Sequence, residues 1–230
     1  MVLPCILATV RSNIRDSRPA VSPARAAAYD ILFRVESESS YASELLHSQA
    51  YDRLTVVDHS LATELVMGVL RWRSLLDSEI AKSSAQPLSK LDLEILIALR
   101  LALYQMRWLD RIPARAAINE SVELVKRARK RSAAPFVNAV LRKLASFGDA
   151  ANAEDPQQTI KHTSVEELAA SSAHPVWLVG RWTQAYGLDA AFQICRNNQT
   201  VPVTAIRLRG LEAEDKLRIE GIELTPGAVL

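Results

Sequence analysis

Leu91 to Leu109, LDLEILIALRLALYQMRWL, constrains this chain more than any other stretch, because it is rich in helix formers and has almost no polar face. A helix that is apolar nearly all round has to be surrounded. Two environments can do that, a bilayer or the middle of a helical bundle. Glu94 and Arg100 interrupt the run, so no uncharged apolar stretch approaches the ~20 residues of a membrane span. The segment is therefore expected to be the buried centre of a bundle with amphipathic helices around it.

Those neighbours are readable on both sides. Pro23 follows Ser22 as a first-turn proline follows an N-cap, and Ala27, Ile31, Leu32 and Val35 continue one helical stripe. Tyr41 to Leu54 supports a short second helix through Leu45, Leu46 and Tyr51. Thr55 and Asp58 have capping-box spacing and open a long helix carrying Leu61, Leu65, Val69, Trp72, Leu75 and Leu76. Gly68 inside it costs about 1 kcal/mol against alanine, which a close helix crossing would explain. Arg71 and Arg73 flank Trp72 and could clamp a ligand, although a tryptophan spaced among leucines reads first as core with its cations snorkelling outward.

After a turn at Asp110 to Pro113, Ile118, Val122 and Val125 mark an amphipathic helix on which Glu123 can pair with Arg127 one turn on. Val137, Val140, Leu141 and Leu144 mark another, with Pro135 tolerated in its first turn. Between the two lies a corner holding Lys126, Arg127, Arg129, Lys130 and Arg131. On the second helix Asn138 and Arg142 share a polar face with Lys143 beside them, and Arg115 opens the first. These nine residues are the candidate RNA contacts. From Arg107 to Lys143 there are ten Lys or Arg against three Asp or Glu, a local net of +7 in a chain whose total is +2. A run of this kind can simply solvate a helix end. Its concentration between two acidic flanks suits a polyanion instead, and with aromatics at only 6% the contacts would be phosphate and groove contacts with little base stacking. Double-stranded or structured RNA fits that description best.

At 230 residues and 49% hydrophobic content the chain can build one good core and part of a second. Val2 to Val10 is apolar but lacks a basic lead, so a secretory signal is not expected and the location reads as cytoplasmic, away from membranes. Cys5 and Cys195 give no disulfide framework, in keeping with a reducing compartment. Four units follow: residues 1–20 as a mobile basic arm with Arg11, Arg15 and Arg18; 21–147 as the helical domain; 148–172 as a linker around Asp155-Pro156; and 173–230 as the start of a further domain. In the last, Pro175 to Tyr186 and Leu188 to Asn197 read as helices parted by Gly187, with Val203 to Leu208 and Ile222 to Leu224 as strands. The fold class is thus mainly α, an antiparallel helical bundle followed by a linker and an incomplete α+β segment.

Several chemistries find no support in the sequence. The seven glycines are never closer than six residues apart, which excludes G-x-G-x-x-G and P-loop cradles. His47, His59, His162 and His174 show no metal-ligand spacing, so no metal is expected. No G-x-S-x-G elbow occurs, and Pro4-Cys5 in a terminal arm has no base in view.

Four short stretches follow one another in the chain: Glu64-Leu65-Val66-Met67-Gly68-Val69-Leu70-Arg71, Leu103-Tyr104-Gln105-Met106, Ile112-Pro113 with Ala117-Ile118-Asn119-Glu120, and Phe136-Val137-Asn138-Ala139-Val140-Leu141-Arg142. In this order they resemble the N-terminal part of bacterial ribosomal RNA cytosine-C5 methyltransferases of the RsmB/Sun family, whose first domain has the all-helical NusB fold. His174-Pro175 with Trp177-Leu178, Arg181 and Asn197-Asn198 extend the likeness, and the His-Pro-x-Trp-Leu stretch belongs to the methyltransferases and not to free-standing NusB proteins.

The resemblance implies a NusB-like domain that helps to recognise ribosomal RNA. It also implies a later Rossmann-like domain that binds S-adenosylmethionine through a Gly-rich motif and attacks cytosine with a cysteine. Neither motif is in this sequence, and Cys195 matches no catalytic position, so no catalytic residue and no cofactor site is expected in this chain and, alone, it should transfer no methyl group. Arg209 stands where the family often has Asn, which weakens any RNA contact inferred there. Two other readings stay open: an RNA-binding transcription antitermination factor of NusB type, and a protein-interaction scaffold whose basic corner binds an acidic partner.

Overall fold

A computed structural model describes the backbone of residues 21–151 and 164–200 and the side chains of 21–146 and 164–200. The described residues fold as helices and turns, with no strand among them. The expected arm at 1–20, the middle of the linker and the expected strands at Val203 to Leu208 and Ile222 to Leu224 lie outside them.

Helix α1 (Pro23–Glu38) starts where the Ser22-Pro23 pair places it. Ser22 does not cap it through its side chain. Its Oγ instead accepts from Arg25 Nη1 at 3.0 Å, and its backbone N–H donates to Glu120 Oε2 at 2.9 Å. The helix start is thereby tied to a residue 98 positions on. The second helix is shorter than its sequence suggests: α2 (Ala42–Leu46) gives way to a 3-10 turn at Gln49–Tyr51. Thr55 caps α3 (Val56–Ser83) by accepting from Asp58 N–H at 3.1 Å, and its hydroxyl donates to the Asp58 carboxylate at 2.8 Å.

Helix α4 (Leu93–Trp108) is the bundle's centre. Every residue from Ile97 to Gln105 is buried, as a helix without a polar face requires. Its neighbours are α1, α3, α5 (Ala114–Arg127) and α6 (Ala134–Ala151). Val137, Val140, Leu141 and Leu144 of α6 all enter the core. On α5 the inward stripe is Ala117, Ile118, Ser121, Leu124 and Val125, so Val122, expected in that stripe, sits at its half-buried edge.

Two arginines sit inside the core, satisfied by distant carboxylates. Arg100 of α4 grips both oxygens of Asp77 at 2.6 and 2.8 Å and reaches Glu36 at 3.0 Å, while Arg73 holds the other Glu36 oxygen at 2.9 Å. Arg25 reaches Gln105 and Glu120, joining α1 to α4 and α5. The sequence showed Arg100 only as a break in an apolar run.

A second, smaller core is formed by α7 (Val165–Ser171), α8 (Val176–Tyr186) and α9 (Leu188–Gln199), through Leu168, Ala169, Val179, Ala191 and Cys195. Gly187 separates α8 from α9 at a φ of 86°, a conformation that favours glycine. The stretch 148–172, expected to be a linker, is helical at both ends, since α6 runs to Ala151 and α7 occupies Val165–Ser171, packed on α8 and touching α3.

Candidate nucleic-acid interface

Helix α5 ends in a Schellman turn. Lys130 N–H donates to Val125 O at 3.0 Å and Arg129 N–H to Lys126 O at 3.1 Å, with Arg129 in the left-handed region at φ 62°. A glycine normally fills that position, because a β-carbon there costs on the order of 1 kcal/mol. The chain then makes one 3-10 turn at Arg131–Ala133 and enters α6. This reversal sets α5 and α6 side by side and holds the basic corner at their junction.

The nine candidate residues fall into two groups. Three cations are already engaged by carboxylates: Lys126 with Glu123 at 2.6 Å, Arg127 with Asp30 of α1 at 2.7 Å, and Lys130 with Asp92 at 2.9 Å and Glu94 at 3.7 Å. The hydrogen bond to Asp92 raises the Lys130 pKa above its ordinary value. Glu123 therefore does not pair with Arg127 as the one-turn spacing suggested. Lys126 holds it at i+3, and Arg127 is drawn to Asp30.

Arg115, Arg129, Arg131, Arg142 and Lys143 are exposed, and none has an ion-pair partner among the described residues. Arg142 Nε donates to Asn138 Oδ1 at 3.3 Å, which places both on the face that their spacing predicts. The nine do not form one patch. Arg115 is at the opposite end of α5 from Arg129, about 20 Å away along the axis at 1.5 Å per residue.

Between the two ends lies a shallow groove of about 360 Å³ lined by Asn119, Val122, Glu123 and Lys126 of α5 and Asn138 of α6. Asn119 and Glu123 line this groove, and the charge pattern did not point to them. Their signal was helical spacing, since Asn119 is one turn from Arg115 and Glu123 one turn from Asn119.

Other candidates resolve into structure. Trp72 stacks on Trp108 at 4.8 Å, Trp108 stacks on Tyr104 at 5.2 Å, and Arg107 lies over Trp108 while pairing with Glu79 at 2.7 Å. Trp72 with Arg71 and Arg73 is thus no clamp: its ring is packed and Arg73 is held by Glu36. Cys195 is buried in the second core, and burial pushes its thiol pKa up, away from the thiolate a nucleophile needs.

No group of His, Cys, Asp and Glu among the described residues could hold a metal ion. The three glycines described in side-chain detail make no cradle for a nucleotide-like donor either. Tyr104 fills the space at Gly68, Gly180 faces Val165, and Gly187 stands alone in the open. Among the described residues, then, no glycine offers backbone amides to S-adenosylmethionine. No described helix is long and apolar enough to cross a membrane.

The NusB family profile matches residues 22–146, more than half of the chain and all of the larger bundle up to the described part of α6. The chain belongs to the NusB family. The probable ribosomal RNA small subunit methyltransferase B of Bacillus subtilis is 36% identical over 210 residues, 87% of this chain and 44% of that protein. The transcription antitermination protein NusB of Lacticaseibacillus casei is 34% identical over 128 residues, 55% of this chain and 92% of that protein. This chain thus spans less than half the length of the methyltransferase relative. Among solved structures, that of PH0851 superposes with a TM-score of 0.55 at 16% identity, covering 90% of this chain and 46% of its own, a likeness of fold.

Proposed function

We propose that this chain is the RNA-recognition portion of a ribosomal RNA methyltransferase, with the α5–α6 corner as its contact surface for structured RNA. One observation carries the reading: the methyltransferase relative matches 210 residues, far more than the NusB domain holds, whereas the antitermination relative matches 128. The helices α7 to α9, with the His174-Pro175-x-Trp177-Leu178 stretch, give the longer match its extra length. Methyl transfer from S-adenosylmethionine, which the family resemblance implies, would rest on residues other than those described. In this reading the described chain supplies affinity and placement in a cytoplasmic enzyme.

The five unpaired cations supply most of the phosphate contacts. Lys126, Arg127 and Lys130 must leave a carboxylate before they can bind a phosphate, and Asn138 offers its amide to the RNA beside them. The near full-length match to an antitermination protein favours a second reading, in which the same surface binds a transcript. Fluorescence anisotropy with small-subunit ribosomal RNA fragments tests both. Ribosomal fragments should bind more tightly than unrelated hairpins of equal length, with a steep loss of affinity as salt rises. Replacing Arg115, Arg129, Arg131 and Arg142 together with Glu should abolish most of that binding while the thermal melt stays cooperative. Undiminished affinity in the folded variant would remove the corner from the interface.

A further inference from the structure

The groove between α5 and α6 has the wrong chemistry for a phosphate. A phosphate only accepts hydrogen bonds, whereas this groove holds the Glu123 carboxylate among its donors. Asn138 Oδ1 is occupied by Arg142 Nε, which leaves the Asn138 amide hydrogens for the groove. Asn119 is exposed and has no hydrogen-bond partner among the described residues, so it offers both a donor and an acceptor. Glu123 uses Oε1 to hold Lys126 at 2.6 Å, and its Oε2 has no partner among the described residues. Donors and acceptors alternate over one small surface with a single apolar residue, Val122. That pattern matches the edge of a nucleobase.

We infer that this groove takes an unpaired guanine of the bound RNA, with its Watson–Crick edge toward Glu123, and that Glu123 sets the preference. The inference rests on the RNA-binding reading above. Guanine alone among the four bases presents two adjacent donors on that edge, N1–H and the N2 amino group, and two donors side by side fit the two oxygens of one carboxylate. Its O6 then accepts from Lys126 or an asparagine amide. Adenine and cytosine offer one amino group beside a ring acceptor, and uracil one N–H between two carbonyls, so each would set an acceptor against the carboxylate. A volume of about 360 Å³ is ample for one base. Unpaired loop bases are also what RNA-binding proteins read, since the grooves of the A-form helix carry little sequence information at accessible edges.

The test uses the full chain and hairpins identical except for one unpaired loop nucleotide. The guanine hairpin should bind about tenfold more tightly than its adenine, cytosine and uridine counterparts, in line with one bidentate contact. Inosine, which keeps N1–H but lacks the N2 amino group, should fall between. Glu123→Gln should remove the preference while binding to the other three hairpins holds or improves, because a carboxylate has been lost from a polyanion's path. Asn119→Ala should weaken the guanine hairpin selectively, whereas Arg131→Ala should weaken all four alike. Equal affinities for the four hairpins, or a guanine preference that survives Glu123→Gln, would overturn the assignment and leave RNA binding intact. Failure to bind any hairpin would overturn both.

Discussion

The ring of Tyr104 on α4 occupies the space that a β-carbon on Gly68 of α3 would need. Its hydroxyl donates to Glu64 Oε1, one turn back on α3, at 2.6 Å. Glycine at this position is thus what lets the two central helices cross with an aromatic ring laid against the backbone. Gly68→Ala is expected to destabilise the bundle by about 1–3 kcal/mol through overpacking. In a Tyr104→Ala background the same change should cost far less. Urea denaturation of the four proteins of that cycle measures the coupling, and simple additivity would show that the crossing does not depend on this contact.

Tyr29 and Tyr104 make stability sensitive to alkali. Burial is the largest cause in each case and holds the phenol pKa well above the ordinary value of 10; for Tyr104 the hydrogen bond to Glu64 adds to it, and for Tyr29 the charge of Glu94 does. The native state therefore keeps these protons more tightly than the unfolded chain. Their contribution is fully present below pH 10 and declines as the pH rises through the range where only unfolded-state phenols ionise. Denaturation midpoints should fall between about pH 10 and pH 12, and Tyr104→Phe should flatten that fall. An unchanged slope in the variant would assign the alkaline loss to other groups.

Arg100 is nearly fully buried against Asp77 and Glu36. Arg100→Ala leaves Asp77 without its cation and Glu36 with Arg73 alone, and is expected to cost about 3–5 kcal/mol. Leu99→Ala, one position away in the apolar core, should cost about 2–5 kcal/mol by a different route, a cavity. Salt separates the two mechanisms. Added salt should soften the Arg100→Ala loss and leave the Leu99→Ala loss in place, as melts at low and high ionic strength would reveal.

Arg129→Gly should raise stability by about 0.5–1 kcal/mol, since the left-handed turn at φ 62° no longer carries a β-carbon. The same change removes one unpaired cation and should weaken RNA binding at low salt. A variant more stable yet weaker in binding would show that the residue at this corner is kept for its charge. A loss of stability would mean that the side chain makes folding contacts.

The parts of this fold that were legible in the sequence are those fixed by local periodicity. A run with no polar face could only be central, Val137, Val140, Leu141 and Leu144 could only point inward, and a lone glycine among helix formers implied a close crossing. What could not be read depends on partners far away in the chain. Arg127 sits one turn from Glu123, yet Asp30, 97 positions earlier, takes it. Arg100 shows in the sequence only as a break in an apolar run, and the partners that satisfy it and Arg25, namely Glu36, Asp77 and Glu120, are brought to them by packing. The candidate interface divides in the same way. Its charge was visible from the order of residues along the chain, but which cations are free depends on α1 and the start of α4, and the groove residue Glu123 looked like a mere helix partner.

The carboxylates at the corner also act as resident counterions. Asp30, Glu123 and Asp92 neutralise Arg127, Lys126 and Lys130 before any nucleic acid arrives. If a phosphate displaces one of them, the freed carboxylate recruits a cation from solution, and this uptake offsets the release of an ion condensed on the RNA. The logarithmic salt dependence of binding should then count the five unpaired cations rather than all eight, so that a surface this basic is less easily stripped from its RNA by physiological salt than its formal charge suggests.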